Sequence, residues 1–200
     1  MKRVLIIGVI TLLSAGMAFA QGVPLTAKYF NKTEAGYAFG IGKFQNHIVD
    51  GIRTHTNNDQ TIFSLQTVNG FMFNNRIGLG AGFGIEFWEK GMFYPLFGQL
   101  SYYLKPAPTT FYANASLGYG FGSRDETTYY ASGTGGSMFN IGIGFAKEIS
   151  PRFRFHFEVC YHNQAIQSAY NVYIHDTLRS QVDYKIALSF IGFRVGIHFK

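Results

Sequence analysis

Charge is scarce in this sequence. Asp, Glu, Lys and Arg make up 14% of the chain, against about 25% in an average soluble domain. Cysteine is nearly absent, and the single Cys160 excludes an intramolecular disulfide. In an oxidising compartment such a lone thiol reads as a small, inert apolar residue. Long apolar runs are missing as well: beyond residue 20 nothing approaches the ~18 uninterrupted apolar residues of a membrane helix. Yet 47% of the residues are hydrophobic and 18% aromatic, with 21 Phe and 13 Tyr. A chain so poor in charge is not an ordinary soluble protein, and one so interrupted is not a helical membrane protein. Both constraints are met by a closed β-barrel, in which apolar residues recur at every second position.

The N-terminus fixes an expectation about export. Met1-Lys2-Arg3 is cationic, residues 4–13 are apolar apart from Gly8 and Thr11, and small residues lead to Ala18-Phe19-Ala20. These are the three regions of a cleaved secretory signal peptide, expected over residues 1–20. Residues 21–200 then form one domain. The formal charge of +6 includes Lys2 and Arg3, and the other cations are scattered. No nucleic-acid partner is indicated.

Eight extended segments follow, over residues 36–44, 61–73, 76–88, 92–105, 110–122, 137–149, 152–162 and 184–199, most with period-two alternation. In the third, Ile77, Leu79, Ala81, Phe83, Ile85 and Phe87 share one face, and Gly78, Gly80, Gly82, Gly84 and Glu86 the other. The fifth, sixth and seventh repeat the pattern. In the last segment Ile186, Leu188 and Phe190 run out of phase with Phe193, Val195, Ile197 and Phe199, which predicts a bulge or a misplaced boundary there. The expected fold is therefore all-β: a transmembrane antiparallel up-and-down barrel of eight strands. Ten strands remain an alternative if the first or last long loop hides a hairpin.

Size decides which face points outward. An eight-stranded barrel is just wide enough for side chains to fill it. Gly, Ala, Ser and Asn suit such a bore, while the Phe-rich face suits lipid. Tyr94, Tyr102, Tyr103, Tyr119, Tyr161 and Trp88 lie toward strand ends, as interfacial aromatic girdles would. The glycine run is not a phosphate loop, because G-x-G-x-x-G requires a glycine at Phe83 or Ile85. No cofactor is expected.

The signal peptide, the alternating strands and the terminal run Gly192 to Phe199 resemble the small OmpA/OmpX-type outer-membrane barrels. The resemblance implies a bacterial (Gram-negative) outer-membrane location amid lipid and lipopolysaccharide. It also implies recognition of the last strand by the barrel-assembly machinery, although Lys200 follows the terminal aromatic Phe199. Short breaks at 74–75, 105–109 and 150–151 alternate with long ones at 45–60, 123–136 and 165–183, with 89–91 the short exception. Periplasmic turns are short and extracellular loops long, so both termini are expected in the periplasm.

Buried charge supplies the candidate site. Glu34, Glu86, Arg154, Glu158 and Arg194 fall on the lumenal face, where a charge must be paired to offset its desolvation. A network of Arg154, Arg194, Glu34 and Glu158 that plugs the bore is expected, with a partner to be found for Glu86. A small water-filled channel is the alternative. Residues 157–164 also resemble the strand of lipid A deacylase barrels that carries a catalytic histidine, but Gln164 stands where that family has serine and His162 is expected to face inward. The enzyme reading is therefore the lesser one. His47, His55 and His175 match no metal-ligand spacing. Arg53, Tyr129, Tyr130 and Tyr173 lie in the predicted loops and suit contact with an extracellular protein or glycan. The function read from the sequence is structural or interaction-based, with the narrow channel and the lipid-modifying enzyme as alternatives.

Overall fold

The computed structural model describes residues 26–47, 53–89, 91–122, 135–174 and 177–199. The described residues form ten strands: β1 (Ala27–Ile41), β2 (Lys43–His47), β3 (Arg53–Asn57), β4 (Thr61–Phe73), β5 (Ile77–Trp88), β6 (Gly91–Tyr103), β7 (Thr109–Gly122), β8 (Gly136–Ser150), β9 (Phe153–Ile174) and β10 (Thr177–Phe199). Eight of them close into an antiparallel barrel in the order β1-β10-β9-β8-β7-β6-β5-β4. The remaining pair, β2 and β3, forms a separate two-stranded hairpin in the first long interval. A hairpin is hidden there, as the ten-strand alternative required, but it stays outside the wall.

Alternation builds the wall. Along β4 buried and outward positions interchange residue by residue, and every neighbouring strand does the same. Phe111, Leu117 and Ile143 project outward at two-thirds exposure, joined by Leu79, Phe83, Leu96 and Leu100. An apolar belt running round the barrel far exceeds the few hundred Å² that a soluble surface carries; its solvent is a bilayer. No helix among the described residues is long and apolar enough to cross a membrane, and the strands do so instead.

The short connections share one end. Between β4 and β5, Asn74 and Asn75 take φ of 50° and 55°, and the Arg76 N–H donates to the Phe73 carbonyl at 2.9 Å. This is a type I′ turn, which needs two left-handed residues and whose twist matches that of the flanking strands. Both chain ends of the described barrel, Ala27 and Phe199, lie at this turn end.

Several expected boundaries move. β1 begins at Ala27, nine residues before the predicted start, because Asn31 and Thr33 outside and Lys32 and Glu34 inside leave no polarity contrast to read. The interval 165–183 is largely strand. β9 and β10 run 22 and 23 residues, about twice the ~9–11 needed to cross a bilayer, and pair from Phe199↔Phe153 to Thr177↔Ile174. Beyond the Gly135↔Gln167 bridge they continue as a two-stranded ribbon.

The expected break near residues 186–190 is absent. β10 keeps one register from Ser180 to Phe199, and its irregularity lies between Leu178 and Ser180. Leu188 and Phe190 simply point inward, where they pack with Ile62, Trp88 and Phe93 at the hairpin end of the bore. Trp88 and Tyr103 also turn inward, at 9% and 3% exposure, so they belong to the core and not to a girdle. A second apolar cluster, containing Phe30, Val68, Met72, Phe97, Tyr103, Tyr112 and Met138, runs along the bore from the turn end.

Candidate functional site

Charged and amide side chains share the bore with the two apolar clusters. Parity in β1 points Lys32 and Glu34 inward, and both are almost fully buried. Glu34 is the hub of one group. Its Oε1 lies 3.1 Å from Lys32 Nζ and 2.8 Å from His156 Nε2, while Gln66 Nε2 donates to its Oε2 at 2.8 Å. The group spans β1, β4 and β9.

Glu158, on β9, is the hub of the other. Arg194 Nη1 approaches its Oε1 at 3.5 Å, and the Tyr112 hydroxyl donates to its Oε2 at 3.1 Å; Asn114 Nδ2 donates to the same oxygen. The Asn140 amide, oriented to satisfy both its neighbours, accepts from Arg194 Nη1 at 2.7 Å and donates to the Tyr161 carbonyl at 3.0 Å. Each carboxylate thus faces at least one cation and further donors, the arrangement that makes a buried charge tolerable.

The two remaining predicted lumenal residues sit away from these hubs. Arg154, expected to join Glu34 and Glu158, instead reaches Glu148 at 3.7 Å and lies over the Tyr103 ring, 5.7 Å from its centroid. It stands at the turn end, where a cleft of about 220 Å³ is lined by Lys28, Phe30, Met72 and His198. Glu34 stands well inside β1, above that level, because the strand starts earlier than expected. Glu86 accepts from Trp88 Nε1 at 3.3 Å and faces His162 Nε2 at 3.6 Å.

Lys32, Gln66, His156, Tyr112, Asn114 and Asn140 were not singled out from the sequence. Five of them are polar residues on the inward parity of strands already recognised or of their extension, and that parity was the available signal. His162 faces the lumen, away from any lipid substrate, and Gln164 beside it donates to the Gly136 and Ala165 carbonyls. Tyr129 and Tyr130 lie outside the described residues. Arg53 and Tyr173 fall on β3 and β9, but their side chains are outside the described set. Among the described residues no three of His, Cys, Asp or Glu gather to hold a metal. A gap of about 10 Å³ lies beside Glu86, Cys160 and His162.

No protein-family model and no curated protein matches the chain. Solved structures do match. The outer membrane protein OprG from Pseudomonas aeruginosa aligns with a TM-score of 0.60 at 11% identity, covering 90% of this chain and 97% of that one. Outer membrane protein AlkL, determined in lipid bilayers, aligns at 0.54 and 9% identity, covering 86% and 88%. The chain has the fold of a small outer-membrane β-barrel. Identities this low carry the fold alone. This barrel's lumen is crossed by two carboxylate hubs, and its β9–β10 hairpin is long.

Proposed function

We propose that the protein is a closed outer-membrane barrel, plugged by its own side chains, that acts through the structure it raises above the membrane. The filled cross-section supports this reading most directly. The Glu34 and Glu158 hubs share the bore with two apolar clusters, and a bore so filled leaves no continuous path for solutes. The chain ends and short turns lie together, which supports a reading with both termini in the periplasm and the β2–β3 hairpin and β9–β10 ribbon outside. On that orientation Arg53 on β3 and Tyr173 on β9, with Tyr129 and Tyr130 in the sequence between β7 and β8, have an extracellular protein or glycan as their partner. Lipid and lipopolysaccharide surround the belt, and the assembly machinery recognises the strand ending in Phe199.

Planar bilayer recording tests the plug. The purified barrel is expected to show no steady conductance, and a large, stable one would replace this reading with the channel. Shortening the β9–β10 ribbon to a tight turn is expected to abolish surface binding while heat-modifiable gel migration persists. The inward-facing, tightly packed His162 gives the lipid-modifying reading no support.

A further inference from the structure

One patch of the outer wall is polar where the belt should be apolar. Asn31 and Thr33 of β1 and Thr67 and Asn69 of β4 all point outward. They are enclosed by lipid-facing residues: Tyr29 and Phe71 toward the turn end, Leu65 and Tyr37 toward the other, Ile197 and Phe199 on β10, and Phe83 on β5. The patch is therefore inside the belt and not at its rim.

Its hydrogen bonds form a closed circuit with one end left over. Asn31 Nδ2 donates to Asn69 Oδ1 at 2.9 Å and to Thr67 Oγ1 at 3.0 Å. Tyr29 Oη donates to the same Asn69 oxygen at 2.6 Å. Thr33 Oγ1 donates to Asn31 Oδ1 at 3.2 Å, which leaves the Thr67 hydroxyl to donate to Thr33 Oγ1 at 3.2 Å. Every hydroxyl is then used. The Asn69 Nδ2 amide has no partner among the described residues, and Asn31 Oδ1 keeps a free lone pair. Amide N–H groups left bare in hydrocarbon are costly, so an acceptor must come from outside the barrel.

The chemistry of the surroundings selects that partner. The outward positions of β1, β4, β5 and the membrane part of β10 carry no charged side chain, so a lipid phosphate would find no cation. The patch offers a free amide donor and a free amide acceptor a strand apart, and is complementary to itself. Continuing from Asn69 along the hydrogen-bond direction, the wall is flat: Asn69 pairs with Ala81 and Ala81 with Gly98. Nothing stands within 4 Å of where a Gly98 side chain would begin. Two walls can approach closely there, as small residues permit in membrane interfaces generally.

We infer that the β1–β4–β5 wall is the interface of a homodimer within the membrane. Two copies meet about a two-fold axis, with Asn69 Nδ2 of each donating to Asn31 Oδ1 of the other. Isologous contacts of this kind require such a self-complementary patch.

Cysteine crosslinking and energy transfer in lipid vesicles test it, on a Cys160→Ala background. Ala81→Cys is expected to be joined between copies by a long bifunctional maleimide in native membranes, because each Ala81 lies one strand outside the Asn31–Asn69 axis, and Ile143→Cys, on the opposite wall, to stay monomeric. Between labelled copies, the Asn31→Leu/Asn69→Leu variant is expected to lower dimer affinity at least tenfold while retaining heat-modifiable migration, since leucine suits a lipid-facing site. The inference fails if the unsubstituted barrel stays monomeric at every protein-to-lipid ratio. Equal crosslinking at both cysteines, an Ala81→Cys adduct with a different protein, or undiminished dimerisation of the double variant would each overturn it too.

Discussion

Glu34 Oε1 lies 2.8 Å from His156 Nε2, a contact that joins β1 to β9 across the intervening β10. Lys32 shares the same oxygen, and Gln66 brings β4 to the other. One carboxylate thereby ties three strands around the point where the barrel closes. Removing it leaves Lys32 buried at 2% exposure without its counter-charge. Breaking a buried pair from one side costs about 3–5 kcal/mol. Glu34→Ala is therefore expected to lower stability by about that amount, and Glu34→Gln by less because its amide still accepts a hydrogen bond. Urea unfolding in lipid vesicles measures both; equal stability of Glu34→Ala and the parent would remove the hub from the account.

Trp88 is the only tryptophan, and it reports directly on which way that part of the wall faces. Its ring lies 5.0 Å from those of both Phe93 and Phe190, and its Nε1 donates to Glu86. Emission is expected to be blue-shifted, and brominated lipids are expected to quench it weakly. Strong quenching by brominated acyl chains would place the ring in the girdle after all.

How much of this was legible in the sequence depended on contrast between the two faces. Where one face is lipid-facing Phe or Ile and the other Gly or Asn, as along β5 and β7, parity alone assigned both. Contrast vanishes wherever the two surroundings are alike. At Asn31–Lys32–Thr33–Glu34 both faces are polar, so the start of β1 was missed. At Ile186 to Ile191 the inward residues are as apolar as the belt, because an inner cluster packs there, and this read as a bulge or a misplaced boundary. Along the ribbon of β9 and β10 polar residues such as Gln167, Asn171, Gln181 and Asp183 recur, so strand resembled loop. The charged residues were found by parity, but their pairing depended on stagger between strands, which no single strand encodes. Arg154 thus fell beside Glu148 at the turn end.

Glycines in the wall divide by what lies in front of them. A methyl group on Gly70 would meet the Leu79 carbonyl oxygen at 2.2 Å and Gly80 Cα at 2.6 Å, backbone that has no room to yield. On Gly98 it would meet nothing within 4 Å. Overpacking typically costs about 1–3 kcal/mol. Gly70→Ala is expected to destabilise the barrel by that order or more, and Gly98→Ala, measured on the monomeric barrel, to stay within about 0.5 kcal/mol of the parent, as substitutions away from packed features do. Folding yield into vesicles and urea midpoints compare them, and equal losses would contradict the assignment of inner and outer faces.

Glu158 and Arg194 test whether the second hub is an ion pair or a wider network. Their closest approach is 3.5 Å, whereas Tyr112 and Asn114 donate to the same carboxylate from β7. Arg194→Met alone strands a buried carboxylate and should cost about 3–5 kcal/mol. If the pair stood alone, adding Glu158→Leu would restore most of that loss, because apolar residues of like volume replace buried ion pairs well. Here the second change leaves the Tyr112 hydroxyl and the Asn114 amide facing a methyl group, each short of an acceptor. The double variant is therefore expected to recover only part of the loss. Adding Tyr112→Phe should then cost less than it does in the parent. A double-mutant cycle by urea unfolding supplies all the terms, and full recovery in Glu158→Leu/Arg194→Met would reduce the hub to an isolated pair.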